Sequence, residues 1–257
     1  MAQTDETKRR IRRSAVISVL FVVISFAGIT FVQQQLFTHR ARVAISDFDY
    51  RFGHYRAIYE YLNASESGIS IEVDVELRNL QFVNTFLTFF NLSSLYERGQ
   101  AYLLDPFNYV HPSFDLERFW LDTDIIGYLS IPAIDLKLPV FLGTSHHNLN
   151  RGLAHLTHSS FPVGGQSSNT VIAGHRNLHF ARVFRDIELL VPGDEIRFTG
   201  FYQTLTYVVV YSQVTHPDQV DVLHIHSGRD LFTLVTQRSN GLNRHGDRFV
   251  VTAERVE

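Results

Sequence analysis

The chain has 257 residues, 45% hydrophobic and 19% charged, with a formal net charge of −3. That composition excludes large-scale disorder and allows one sizeable core, with length left over for an anchor or appendage. Cysteine is absent, which excludes disulfides, thiolate metal sites and any thiol nucleophile.

Charge is unevenly spread. Five of the 23 basic residues (Lys8, Arg9, Arg10, Arg12 and Arg13) fall in the first 13 positions, against two of the 26 acidic ones, Asp5 and Glu6. The remainder is therefore acidic, and no nucleic-acid partner is expected. Ala15 to Val32 is an uncharged run of 18 residues, near the lower limit for crossing ~30 Å of hydrocarbon. Positive residues directly before it place the N-terminus in the cytoplasm. The run is longer than the roughly 7–15-residue core of a cleaved signal peptide, and Gln33-Gln34-Gln35-Leu36-Phe37 is a poor cleavage site. The expectation is a cytoplasmic basic tail over 1–13, a single-pass transmembrane signal anchor over 14–36, and an extracytoplasmic remainder.

Residues 37–120 read as an N-terminal helical appendage. Phe48, Phe52, Tyr55, Tyr59 and Leu62 recur at helical spacing. Residues 69–78 alternate apolar with polar or charged side chains, which predicts a half-buried strand. Phe82, Phe86, Phe89 and Phe90 then form an apolar cluster expected to be helical. Asp105-Pro106-Phe107 reads as a turn, because proline disfavours helix in the residue before it.

From residue 121 the pattern changes to short strands and turns, as in a small β-barrel or sandwich. Successive segments are Gly127 to Pro132, Leu138 to Thr144, Gly152 to Gly165, and Asn169 to Arg176, the last reaching a glycine and His175. Phe184 to Ile196 and His216-Pro217-Asp218 follow. Leu231 to Thr236 carries apolar groups on both faces, which predicts a buried strand. Gln237 to Gly241 reads as a loop, and Arg248 to Thr252 resumes as a strand.

Thr233-Leu234-Val235-Thr236, with an arginine on the following strand, resembles the signature of the sortases, the cysteine transpeptidases of bacterial cell surfaces. In that family the next residue is the catalytic cysteine; here it is Gln237. The resemblance spans residues 103–257 at six or more ordered places and implies a mainly β fold, a closed sortase-like β-barrel with short helices over 121–257. It is nearest to the class C, pilin-assembling sortases. In these, an Asp-Pro-aromatic tripeptide forms a lid over the site, which assigns Asp105, Pro106 and Phe107 to that role. Class C members often carry a second transmembrane helix at the C-terminus; the sequence stops at Glu257, so one anchor is expected.

The resemblance further implies that His175 stands at the catalytic-histidine position and Arg248 at the arginine position. Arg244 is the rival for the latter, because Gly241-Leu242-Asn243-Arg244-His245 matches the usual run before Gly246 and Asp247 intervene. A solvated loop position for both arginines is the bland alternative. In a sortase the cysteine forms a thioester with a Leu-Pro-x-Thr-Gly sorting signal, the histidine moves protons, and the arginine stabilises the oxyanion. A carboxamide cannot supply that nucleophile, because its nitrogen lone pair is delocalised into the carbonyl. The expected function is therefore binding of a sorting-signal-like peptide or a surface or pilin protein, or scaffolding of an envelope assembly. The alternatives are transpeptidase or peptidase activity through Ser239, and a purely structural envelope domain. His146, His147, His155 and His158, with His224 and His226 read as alternating on a strand, raise metal binding as a further possibility. They lack accompanying carboxylates, and neither a metal nor another cofactor is expected.

Overall fold

The computed structural model of the chain describes residues 2–64, 103–108, 116, 123–178, 181–238 and 246–256, without side chains for 2–15, 17, 18, 58–64, 177 and 182. The expected strand at 69–78, the Phe82–Phe90 cluster, Ser239 and Arg244 lie outside the described residues, as do the side chains of Tyr59 and Leu62.

The anchor run and the amphipathic segment form one helix, α1 (Ala2–Ala64). Within it, Val19–Ala57 contains a window of mean hydropathy 1.7, long and apolar enough to cross a membrane. Its apolar side chains from Val19 to Val32 are exposed, Phe21 and Phe26 among them. Further along, the same helix turns a stripe inward. Phe37, Ala41, Ile45, Phe48, Phe52 and Tyr55 are all buried, at spacings of four or three residues, which keep them on one face. Phe48 and Phe52 pack on Phe201 at ring-centroid distances of 5.5 and 5.0 Å, and Arg56 donates to the Gly200 carbonyl at 3.1 Å.

Beyond it lies a closed eight-stranded barrel, as the sequence resemblance implied. Its strands are β1 (Ile125–Ile131), β2 (Leu136–Leu142), β3 (Leu153–His155), β4 (Ser168–Ala173), β7 (Glu195–Thr199), β8 (Thr204–Thr215), β9 (Asp230–Gln237) and β10 (Arg248–Arg255). They close in the order β1-β2-β3-β4-β9-β10-β8-β7, and a hairpin of β5 (Asn177–Leu178) and β6 (Ala181–Arg182) stands apart. β2 with β3 and β4 with β9 are parallel, and every other barrel pairing is antiparallel. Closure leaves no barrel edge open to pairing. Gly127 makes the first corner: the register shifts there, and a Cβ would meet the Thr199 carbonyl oxygen at 2.3 Å.

β9 is apolar on both faces because each face is covered. Phe232 and Leu234 join the core formed by the barrel and α1, where Phe232 packs on Tyr207 and Phe198. Leu103, Phe107, Leu223, Val171, Val235 and Val250 belong to a second apolar cluster. That cluster contains residues of the 103–108 segment and of the turn Val220–Leu223, so both pack over this part of the sheet. Asn169 pins the turn by donating to the carbonyls of Leu223 and His224 at 3.0 Å, and accepts from Thr233 at 2.8 Å.

This corrects one sequence expectation: His224 and His226 are not on a strand but follow the 3-10 turn, where the backbone is held by Asn169 rather than by a ladder. His146 and His147 open a short helix (His146–Leu149), and His158 sits in a turn. Among the described residues no three of His, Asp or Glu gather as a metal site.

His155 is buried in β3. Its Nε2 lies 2.9 Å from the Ser160 carbonyl oxygen, while Nδ1 has no hydrogen-bond partner among the described residues. Burial pushes its pKa down to about 4. Because the folded value lies below the unfolded one, stability is complete above about pH 6.5 and falls as pH drops toward 4. The expected loss is about 3 kcal/mol. Urea unfolding across this range measures it, and His155→Phe should flatten the slope relative to wild type.

Candidate functional site

Three neighbouring strand ends bring the candidate residues together. β4 and β9 run parallel with Ala173 opposite Val235, so His175 and Gln237, each two residues further on, leave the sheet side by side. β10 is antiparallel to β9 with Arg248 opposite Gln237. Register thus sets His175, Gln237 and Arg248 at one end of the barrel.

Local bonds fix this arrangement. The Gly174 amide donates to Val235 O at 3.1 Å, and the Thr236 hydroxyl donates to Gly174 O at 2.9 Å. Phe184 N donates to His175 O at 2.9 Å. A Cβ at Gly174 would lie 2.7 Å from both Leu153 Cδ2 and Phe184 Cδ2. Gly174→Ala is therefore expected to cost about 1–3 kcal/mol through overpacking and to displace the His175 ring. Chemical unfolding and the imidazole NMR resonances would register the two effects.

Arg248 is buried, not solvated. Its Nε and one terminal nitrogen donate to the two carboxylate oxygens of Asp105 at 2.6 and 2.7 Å. The other terminal nitrogen donates to Gly246 O at 2.6 Å. This two-pronged pairing uses the planar fork that distinguishes arginine from lysine. Asp105 is itself buried, at the start of the 3-10 turn Pro106–Asn108. The turn carries Phe107 inward. Its ring lies 5.0 Å from the Arg248 guanidinium carbon and 5.7 Å, centroid to centroid, from His175. A cavity of about 10 Å³ lies between this segment and the barrel, bordered by Asp105, Pro106, Arg248, Val235 and Val250. That is barely room for one water. Asp105 and Phe107 thus pack against Arg248, and Phe107 also against His175.

A sortase domain family model matches residues 129–256. The solved sortase C-1 of Actinomyces oris is 32% identical over 71% of this chain and 99% of its own, with a TM-score of 0.59. Sortase C of Streptococcus pneumoniae aligns with a TM-score of 0.64 at 26% identity, covering 83% of this chain and 96% of that one. The chain belongs to the sortase family. Among curated sortases, Sortase D of Bacillus subtilis is 27% identical over 131 residues and Sortase A of Bacillus anthracis 31% over 132. These matches span 63% and 60% of the relatives' lengths.

On this sortase barrel, burial lowers the pKa of His175. Hydrogen bonding of the ring to the Gln237 side chain opposes that shift, and His146 adds to it. The ring is therefore neutral at pH 7 and able to exchange a proton. Gln237 can accept or donate hydrogen bonds beside it but offers no ionisable group.

One residue here escaped the sequence reading. Glu188, in the turn Arg185–Leu189, pairs with Arg176, which follows His175. It also lies 3.6 Å from Arg238, which follows Gln237. A single carboxylate thus spans the residues next to both site positions. The only sequence signal was that each arginine directly follows a candidate residue.

Proposed function

We propose that this chain is a membrane-anchored, class C-like sortase homologue of the cell envelope that has exchanged acyl transfer for binding. Residues 1–13 form the cytoplasmic tail, 14–36 the signal anchor, and 37–120 an appendage that carries a lid at Asp105, Pro106 and Phe107. The barrel, 121–257, faces the extracytoplasmic side. His175 and Arg248 occupy the family's catalytic positions, and Gln237 occupies that of the cysteine. The groove takes a sorting-signal-like peptide, presented by a surface or pilin protein, when the lid lifts.

The observation that carries this reading is Gln237 itself, set beside His175 and opposite Arg248 by the strand register. It stands directly after Thr233-Leu234-Val235-Thr236, where covalent chemistry would need a nucleophile. A carboxamide can hold a peptide by hydrogen bonds yet form no acyl intermediate. The pilin-sortase likeness of the neighbouring structures supports the substrate class.

The test offers the full chain in detergent micelles a Leu-Pro-x-Thr-Gly peptide and an amine. Binding is followed by the fluorescence of Trp120, the only tryptophan, and covalency by intact mass. The expected result is saturable binding with neither adduct nor amide product. Product formation abolished by Ser239→Ala would establish a relocated nucleophile instead, and no spectral change at saturating peptide would point to a structural domain.

A further inference from the structure

Two grooves straddle α1 just beyond its exposed apolar run, and they differ in charge. One, of about 690 Å³, places Arg42 and Lys137 with Asp135 and Asp186 in its lining, so its charges balance. The other, of about 540 Å³, has Leu36, Phe37, Ala41, Ala44, Pro139 and Phe141 as its apolar wall. Its charged lining residues are Arg40 and Arg151, joined by His147, Gln33 and Asn150, with no Asp or Glu among them. Arg151 is already held by Asp124 and lies 4.2 Å from the Phe141 ring centroid. Arg40 is exposed and has no ion-pair partner among the described residues.

Position gives this second groove its meaning. Arg40 lies eight residues past Val32, about 12 Å along the helix axis at ~1.5 Å per residue. Side chains on a helix lean toward its N-terminus, which here is toward the membrane. A long arginine stem can therefore carry its charge back into the polar headgroup layer, about 5–7 Å deep on each side of the bilayer. The apolar wall below the charge begins at exposed Leu36, which continues the apolar surface of the anchor, with the buried Phe37 ring behind it. A charged head over an acyl chain matches that division.

We propose that the Arg40–Arg151 groove holds the phosphate of an anionic phospholipid from the extracytoplasmic leaflet, with part of an acyl chain along Leu36 and Phe37. This rests on the signal-anchor reading. A lipid bound there would bridge α1 to β2 and fix the barrel's height and tilt over the membrane, keeping the barrel at a set distance from the surface.

The experiment uses the full chain in nanodiscs of phosphatidylcholine alone, or of phosphatidylcholine with phosphatidylglycerol. Co-migration of chain and disc reports insertion. Native mass spectrometry after detergent extraction reports retained lipid. The expected result is insertion into both discs and retention of phosphatidylglycerol by wild type. That retention should fall on the order of tenfold in Arg40→Ala, the effect of one lost charged hydrogen bond, and stay unchanged in Arg42→Ala, whose groove is balanced. Equal retention of both lipids, or an Arg40→Ala variant that retains lipid like wild type, would overturn the site while leaving the anchor intact. A chain that stays outside the discs would overturn the anchor, and the site with it. Displacement of the lipid by millimolar inorganic phosphate would mark a soluble-anion site and refute the lipid assignment.

Discussion

Asp105→Ala is expected to release residues 103–108 from the barrel and to raise peptide affinity. The pair it breaks is buried on both sides, with Arg248 reaching Asp105 through two hydrogen bonds of 2.6 and 2.7 Å. Removing one member of such a pair costs about 3–5 kcal/mol, because the remaining charge is left buried without its counterion. Undocking relieves that cost by giving the guanidinium back to water. The open population should therefore rise on the order of 100-fold or more, until opening is the normal state. Apparent affinity follows the open fraction, so the gain continues until that fraction nears one. Hydrogen exchange over 103–108, limited proteolysis at the same residues and titration with a Leu-Pro-x-Thr-Gly peptide should all move together. Unchanged exchange in a folded Asp105→Ala protein would mean that the apolar contacts of Leu103 and Phe107 hold the segment without the ion pair. Faster exchange with unchanged affinity would mean that the segment does not cover the peptide site.

The parts of this architecture that follow from local chemistry were legible in the sequence. The period of Phe48, Phe52 and Tyr55 marked the buried face of α1, and all three are buried. The two-faced apolar run of β9 marked a strand covered on both sides, which is what the barrel interior and the second cluster provide. Asp105 and Arg248 were each singled out, although 143 positions separate them. No periodicity reports such a distance; only a family resemblance can link them before the fold is known. What stayed hidden depended on tertiary register. Glu188 has no local pattern to announce it, because its partners, Arg176 and Arg238, are brought near by the pairing of β4 with β9. His224 and His226 misled for the complementary reason. Their alternation imitates a strand, yet Asn169 captures the backbone there and holds a turn. The continuity of α1 from the apolar run into the packed stripe was equally unreadable, since a change of burial environment resembles a boundary between elements.

Gln237→Cys should turn a binding site into an acylating one, and combining it with Asp105→Ala should make the effect plain. Position 237 lies at the end of β9, where the register of β4 with β9 sets it beside His175 and Arg248 is its cross-strand partner. A thiol there would have a neutral, partly buried imidazole to take its proton. Once Asp105 is removed, Arg248 would be free to face developing negative charge. The wild-type chain should show no mass increase with peptide, whereas the double variant should gain an acyl group that hydroxylamine removes. Adding His175→Ala should slow that acylation about 10²–10⁴-fold, the usual contribution of a positioned acid or base. Gln237→Cys alone should react more slowly than the double variant, because Phe107 still packs on the imidazole and Asp105 still occupies the guanidinium. An adduct on the wild-type chain would end the non-covalent reading. A folded double variant that binds peptide yet never acylates would end the assignment of position 237 as the nucleophile's place.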